Sequence, residues 1–297
     1  MLESMKANLH LHSRISDGTD WPAAIVERAY RSGLEWVALT DHDSLGGAEE
    51  FRRAAQALGL KSTGAVEIDC TAPELGYRSE LLAYFPDGSY EHTRRLLADV
   101  TKHRLEYVRA SIRKAQRHFV KAQLSFEDFL NHKRRGRPEL SAEAFSFNKV
   151  DLFLFFQSHG ILSPEISYRA FKKAYLDTGL LSGPAYEKPS CENIIRTVHD
   201  DGGLVVLPHI GHEFDDSAEV LKRDEKRLKE TLDYFTSLGL DGLELYWYRN
   251  GDTGAINKII AAEAKNRSLF VTYGSDCHGP GSGKDTLELF SGDLERL

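Results

Sequence analysis

Cysteine is scarce: Cys70, Cys191 and Cys277 are the only ones among 297 residues, an odd number with no CxxC spacing. Neither a disulfide framework nor a thiolate zinc knuckle is indicated, and a reduced compartment is expected. Long apolar runs are also missing. None approaches the roughly 20 residues that cross a bilayer, and the start from Met1 to Lys6 lacks the apolar stretch of a signal peptide. A cytoplasmic protein with no membrane partner is expected. Positive charge is in deficit, with a formal net charge of −7, which argues against broad adhesion to nucleic acid. The local basic stretch from Lys133 to Arg137 is of a kind that is usually a solvated loop. GxGxxG and Walker spacings are absent, so Gly46–Gly47 and Gly202–Gly203 read as turn residues and nucleotide binding by those routes is unsupported.

What remains is an ordinary globular mixture, 41% hydrophobic and 28% charged, in which short β-branched or apolar runs alternate with helical patterns. That alternation is the mark of βαβ units around a parallel sheet. Strands are expected at Lys6 to His12, Trp36 to Thr40, Lys61 to Glu67, Leu81 to Tyr84, Leu204 to Leu207, Gly242 to Leu245 and Leu269 to Tyr273. Helices are expected at Pro22 to Ser32 and, closed by Gly59, at Ala48 to Leu58. From Glu91 to about Tyr186 strand signals vanish, and Glu91 to Lys121 and Lys149 to Ser158 read as helices. The organisation is therefore a discontinuous barrel, 1–88 with 190–297, carrying an inserted helical subdomain at 89–189. The insert leaves just after the Leu81 to Tyr84 strand and returns before the strand leading to His209. Both junctions are accordingly expected near the site, with the insert covering its mouth and selecting the substrate. The phenylalanine-rich stretch from Phe145 to Phe156 reads as core rather than as a base-stacking surface.

His10 and His12 lie two apart on the first strand, so both imidazoles project from one face and reach a single ion. Asp17 follows in a turn closed by Gly18. Asp41 and His42 come directly after the second strand, Glu67 ends the third, His209 follows Leu207, and Asp276 and His278 follow the last strand. A lone histidine is more often a hydrogen-bonded structural group than a ligand; the recurrence at strand carboxyl ends carries the reading, because those ends converge in a parallel barrel. Imidazoles mixed with carboxylates suit Zn, Mn or Fe, and more than one ion is expected. Asp41 is expected to orient a ligand histidine. Cys277, between two ligands on an extended backbone, should point away from the metals.

The strings HLHSRISDG at His10 to Gly18, TDHDS at Thr40 to Ser44, the Glu of GAVEI, Pro208–His209 and GSDCHG at Gly274 to Gly279 resemble the motifs of the PHP (polymerase and histidinol phosphatase) family. Together with the central insert and GLELY at Gly242 to Tyr246, they are most similar to its stand-alone phosphoesterases, which include 3′,5′-nucleoside bisphosphate phosphatases and a 5′-to-3′ ribonuclease. The resemblance implies a distorted TIM-like (β/α)7 barrel with two or three divalent ions (Mn, Fe or Zn). It assigns His10, His12, Glu67 and Asp276 to a first ion, Glu67 and His209 to a second, and Asp17, His42 and His278 to a third. Glu80 stands where the family usually has histidine, which implies harder oxygen ligation at the second ion. GRPEL at Gly136 to Leu140 lacks an expected histidine, and none follows Tyr246 in the next helix.

Clustered divalent ions activate water and neutralise charge on phosphoryl oxygens, so no nucleophilic Ser or Cys is required. Asp17, His209 and His212 are the candidate catalytic residues, with His212 donating a proton to the leaving oxygen or binding phosphate. Arg14 is either a phosphate clamp or one half of a surface ion pair. The expected substrate is a small phosphorylated molecule or nucleotide, nucleic-acid ends included. The alternatives are an amidohydrolase-type enzyme, which calls for a bridging lysine at a strand end that the sequence does not offer, and a non-catalytic metal-stabilised module.

Overall fold

The computed structural model describes residues 5–292 and 297. The strands are β1 (Met5–Leu11), β2 (Trp36–Leu39), β3 (Lys61–Asp69), β4 (Glu80–Phe85), β5 (Leu204–Leu207), β6 (Gly242–Tyr246), β7 (Phe270–Gly274) and β8 (Phe290–Gly292). The helices are α1 (Pro22–Arg31), α2 (Ala48–Leu58), α3 (Glu91–His118), α4 (Phe126–Arg134), α5 (Lys149–Ser158), α6 (Tyr168–Phe171), α7 (Cys191–Asp200), α8 (Ala218–Arg223), α9 (Glu225–Ser237) and α10 (Thr253–Asn266). Pro22 opens α1 where its missing N–H costs nothing, and Gly59 closes α2 in the left-handed conformation with φ of 73°.

The sheet runs β7-β6-β5-β4-β3-β2-β1-β8. Its ends meet where Leu11 bridges Cys277 and the His12 amide donates to the Cys277 carbonyl at 2.9 Å. The β8 strand, which no sequence signal marked, pairs antiparallel with the opening residues of β1, Met5 to Ala7, and fills the lower part of that seam. The result is the α/β barrel expected, with one correction. β4 is antiparallel to both β3 and β5, whereas a uniformly parallel sheet was anticipated. The connection 70–79 is too short to hold the crossover helix that a parallel neighbour needs, so the chain turns straight back.

This reversal moves one end of the insert. Asp69 pairs with Glu80 at the ligand end of the barrel, while Gly64 pairs with Phe85 at the other. The chain therefore leaves the barrel at the end remote from the candidate metal ligands, contrary to the expectation that both junctions flank the site. It climbs back along α3: the amides of His92 and Thr93 donate to Asp201 near the start, and Arg104, further along, reaches Asp43 and Asp69 beside the ligands. The return junction does lie near the site, since Thr71 bridges Ser190 just beyond β3.

Ala7, Leu9, Trp36, Ala38, Ala65, Leu82, Tyr84 and Val206 form the apolar interior of the barrel. Two residues along their strands from Ala65 and Leu82, on the same faces, stand Glu67 and Glu80, so the polar site is the upper layer of that stack. Ala7 belongs to this interior, yet Leu11 packs outward with Ile25 and Val26 of α1. A regular strand would put both on one face. The register shift between Asn8 and Leu11 resolves this: a bulge re-aims the strand end that carries His10 and His12. The insert has a separate core that includes Phe129, Phe145, Phe147, Phe155, Phe156 and Phe171, all but inaccessible to solvent, and Ile15 of the ligand loop plugs into it. The phenylalanines are core, each stabilising the fold by roughly 2–3 kcal/mol through burial.

Candidate metal centre

His10 is wholly buried, and its Nδ1 meets the Glu244 carboxylate at 2.8 Å. That bond places the proton on Nδ1 and leaves the Nε2 lone pair facing inward. There it lies 3.1 Å from Nε2 of His12, 3.2 Å from Glu67 Oε2 and 3.7 Å from Asp276 Oδ1. Two imidazole nitrogens aimed at the same point between two carboxylates are suited to a shared cation. The backbone is shaped for this: a Cβ on Gly274 would stand 2.1 Å from Glu244 Oε1 and 2.3 Å from the His10 Cβ. Only glycine fits there. Asp276 itself has φ of +50° and His209 +29°, strained values for non-glycine residues.

Three sets of candidate ligand atoms each lie within 4.8 Å of one another: His10, His12, Glu67 and Asp276; Glu67, Glu80 and His209; and His12, Asp17, His42 and His278. The grouping follows the family assignment, except that His12 also reaches the third set. His209 Nε2 is 3.2 Å from Glu67 Oε1, and the His209 amide donates to Glu244 Oε2 at 3.0 Å. In the third set His278 Nε2 is 3.2 Å from Asp17 Oδ1, and His42 Nε2 is 3.8 Å from Asp17 Oδ2. Glu80 enters the site from the start of β4, which the antiparallel direction of that strand puts at the ligand end.

Burial opposes charge on these carboxyls, yet the imidazoles outweigh it. His278 and His42 hold Asp17 well below the usual carboxylate range, and His10 and His42 do the same for Glu67. Burial likewise opposes a charged His10, but Glu244 and Glu67 prevail and raise it. Nδ1 of His12 and Nδ1 of His42 are buried without a hydrogen-bond partner. Buried orphan nitrogens beside ionised carboxylates fit divalent ions, which displace the protons otherwise held there.

Around this centre several expectations change. Asp41 orients no histidine: its carboxylate accepts from the Ser13 amide at 2.7 Å and from the Ser13 and Ser16 hydroxyls at 2.6 Å each, so it braces the loop leading to Asp17. Arg14 is not in a surface ion pair. It is buried, its Nε donates to the Lys133 carbonyl at 3.1 Å, and burial with the nearby Arg135 lowers its pKa to about 10. Cys277 does point away, packing with Leu11, Ile25 and Val26. His212 is partly exposed, its ring 4.9 Å from that of His209, with Nδ1 held by Asp216 at 2.5 Å. Burial and His209 push its imidazole below the usual range despite Asp216.

Residues unmarked by sequence complete the support. Glu244 joins His10 to His209. Arg104 of α3 pairs with Asp43 and Asp69. Lys133, which opens the basic stretch read from sequence as a solvated loop, is instead buried in α4, where it pairs with Asp151 and donates to the Ser16 carbonyl. Glu244, as a carboxylate in the otherwise apolar run GLELY, was the one detectable signal. Beside Asp17, His42 and Glu80 opens a cavity of about 520 Å³, whose far wall is built by the insert through Tyr107, Lys149, Tyr168 and Tyr186.

Comparison with known proteins agrees with this geometry. The chain is 26% identical to a phosphoribosyl 1,2-cyclic phosphate 1,2-diphosphodiesterase of Eggerthella lenta, over 93% of this chain and 95% of that one. It is 27% identical to a 5′-3′ exoribonuclease of Haemophilus influenzae, over 93% and 90%. It is 25% identical to a 3′,5′-nucleoside bisphosphate phosphatase of Chromobacterium violaceum, over 93% and 88%. Its fold matches that of a Bifidobacterium adolescentis protein described as a metal-dependent phosphoesterase, with a TM-score of 0.72 and 24% identity over 97% and 92% of the two chains. Among the described residues no helix is long and apolar enough to cross a membrane. The PHP domain family matches residues 8–178, and with a ligand set arranged as described, the chain belongs to that family and is a metal-dependent phosphoesterase.

Proposed function

We propose that the chain hydrolyses phosphate esters of small phosphorylated molecules or nucleotides, the ends of nucleic acids included, at a centre of two or three Mn, Fe or Zn ions. The observation that carries this reading is three sets of candidate ligands linked through His12 and Glu67, two of which border a walled cavity through Asp17, His42 and Glu80. His10, His12, Glu67 and Asp276 hold the first ion, Glu67, Glu80 and His209 the second, and Asp17, His42 and His278 the third. Bound ions of this kind supply activation of water and neutralisation of phosphoryl charge. Glu244 sets the tautomer of His10, Asp41 fixes the loop that presents Asp17, and His212, beside His209, exchanges a proton with the leaving oxygen. Arg14 braces α4 against the ligand loop. Residues 89–189 form a subdomain that walls the cavity opposite the ligands and admits small substrates. Hydrolysis of C–N bonds is less well supported, since relatives matched over most of their length are named for cleavage of phosphate esters.

The test is a screen of phosphate esters against Mn-, Fe- and Zn-loaded protein, reporting released phosphate, with metal content by elemental analysis. Mononucleotides and nucleoside bisphosphates are compared with linear and circular single strands. Turnover of small esters with at least two ions per chain is expected. A chain that holds no metal and releases no phosphate after reconstitution refutes the function, and efficient cleavage of the circular strand refutes the walled pocket.

A further inference from the structure

Lys284 stands at the same centre, and none of the roles above uses it. Its ammonium pairs with Oδ2 of Asp276, an oxygen that also accepts from the Tyr246 hydroxyl at 3.3 Å. The other oxygen, Oδ1, faces His12 Nε2 at 3.1 Å and His278 Nδ1 at 3.2 Å. Asp276 is thus divided, one oxygen turned toward the ligand imidazoles and the other toward Lys284. The lysine side chain is 46% exposed while that of Asp276 is 4% exposed, so the lysine stem, unlike its partner, has solvent beside it. Arg104 and Lys133, two other cations tied to the ligand loops, are buried against their own carboxylates.

The loop that carries Lys284 is fixed by its own hydrogen bonds. The His278 amide donates to the Lys284 carbonyl at 2.8 Å, the Lys284 amide to Ser282 Oγ at 3.0 Å, and Ser282 Oγ to the Gly279 carbonyl at 2.7 Å. A ligand histidine and the lysine are therefore locked together through the backbone, and the ammonium cannot drift far from the centre.

We propose that Lys284 is a substrate-binding residue whose ammonium, here paired with Asp276, holds a phosphoryl oxygen of the bound ester. The proposal rests on the phosphoesterase reading and deepens it. A carboxylate that shares its charge with a divalent ion attracts an ammonium less, whereas a phosphate brings up to two negative charges and several acceptor oxygens to the same place. Lysine suits the task, as a point charge on a flexible stem that moves between the two partners.

The test uses metal-loaded full-length protein with Lys284→Gln and Lys284→Arg. Metal per chain is measured by elemental analysis, inorganic phosphate binding by calorimetry, and KM and kcat on an ester that the wild type hydrolyses. Lys284→Gln should keep the wild-type metal content, bind inorganic phosphate about 10- to 100-fold more weakly, the scale of a lost charge-assisted hydrogen bond, and show a raised KM. Lys284→Arg should restore most of the phosphate binding. Unchanged phosphate affinity in Lys284→Gln overturns the proposal, as does loss of metal in that variant, which would assign the lysine to holding Asp276. A wild-type protein that neither binds phosphate nor hydrolyses any ester would instead overturn the phosphoesterase reading.

Discussion

Replacing Arg104 with methionine removes a cation that serves two acidic loops at once. Its Nε donates to Asp43 at 2.9 Å, one terminal nitrogen reaches Asp69 at 2.9 Å and also contacts Asp43, and the other donates to the Phe147 carbonyl at 3.0 Å. The side chain is only 10% exposed and that of Asp43 fully buried, so solvent cannot take over the role. Burial and Asp69 already push the Asp43 carboxyl up to about 6 even with Arg104 opposing them. Leaving such a carboxylate without its partner costs about 3–5 kcal/mol. For unfolding as one unit with an entropy of about 2 cal/mol/K per residue, that corresponds to a fall in midpoint of roughly 5–8 °C for a chain of this length. Scanning calorimetry on the metal-loaded protein measures it. Arg104→Met combined with Asp43→Asn should recover part of the loss, because the cost comes from the stranded charge. A midpoint for Arg104→Met within about 1 °C of wild type, the range of an ordinary surface change, would refute the buried pairing and with it the way α3 is anchored to the ligand loops.

His10→Ala or Asp276→Ala should abolish phosphate release and lower metal content while leaving the far-UV circular dichroism intact, whereas Cys277→Ser, altered only on the outward face, should keep most activity. Glu80→His should move metal preference from Mn toward Zn, since it exchanges a hard oxygen for imidazole nitrogen in the set with Glu67 and His209; competition between the two ions followed by elemental analysis reads this out, and an unchanged ratio removes Glu80 from the ligand set. Burial, with Arg135 and Arg14 nearby, lowers the His132 pKa from 6.5 to about 4. Because the folded chain then binds fewer protons than the unfolded one, stability should fall as pH drops from about 6.5 to about 4 and level off below, by roughly 1–3 kcal/mol, a value reduced for the partial exposure of the ring. His132→Gln should flatten that part of a chemical denaturation profile, and an identical slope in the variant would count against the neutral, half-buried imidazole.

The candidate ligands that sequence reading singled out are those whose placement follows from local rules. An apolar run that stops marks a strand end, and His42, His209, Asp276 and His278 stand just beyond such stops, while two-residue spacing puts His10 and His12 on one face. None of these inferences needs to know which strand neighbours which. The direction of β4 is different, because the apolar run from Leu81 to Phe85 reads alike in either sense. Only the pairing of Asp69 with Glu80 and of Gly64 with Phe85 reveals that the strand runs backward. That one reversal moved the departure of the insert to the opposite end of the barrel and gave α3 its climb. The supporting groups were hidden for a related reason. Arg104 meets Asp43 across 61 residues of chain, and His10 meets Glu244 across 234. A charged side chain on a helix or strand has no local mark that says which distant partner neutralises it. Ligand identity is written in residue type and strand position, but the hydrogen bonds and ion pairs that orient those ligands arise only when the packed barrel and helices bring remote charges into a common low-dielectric space.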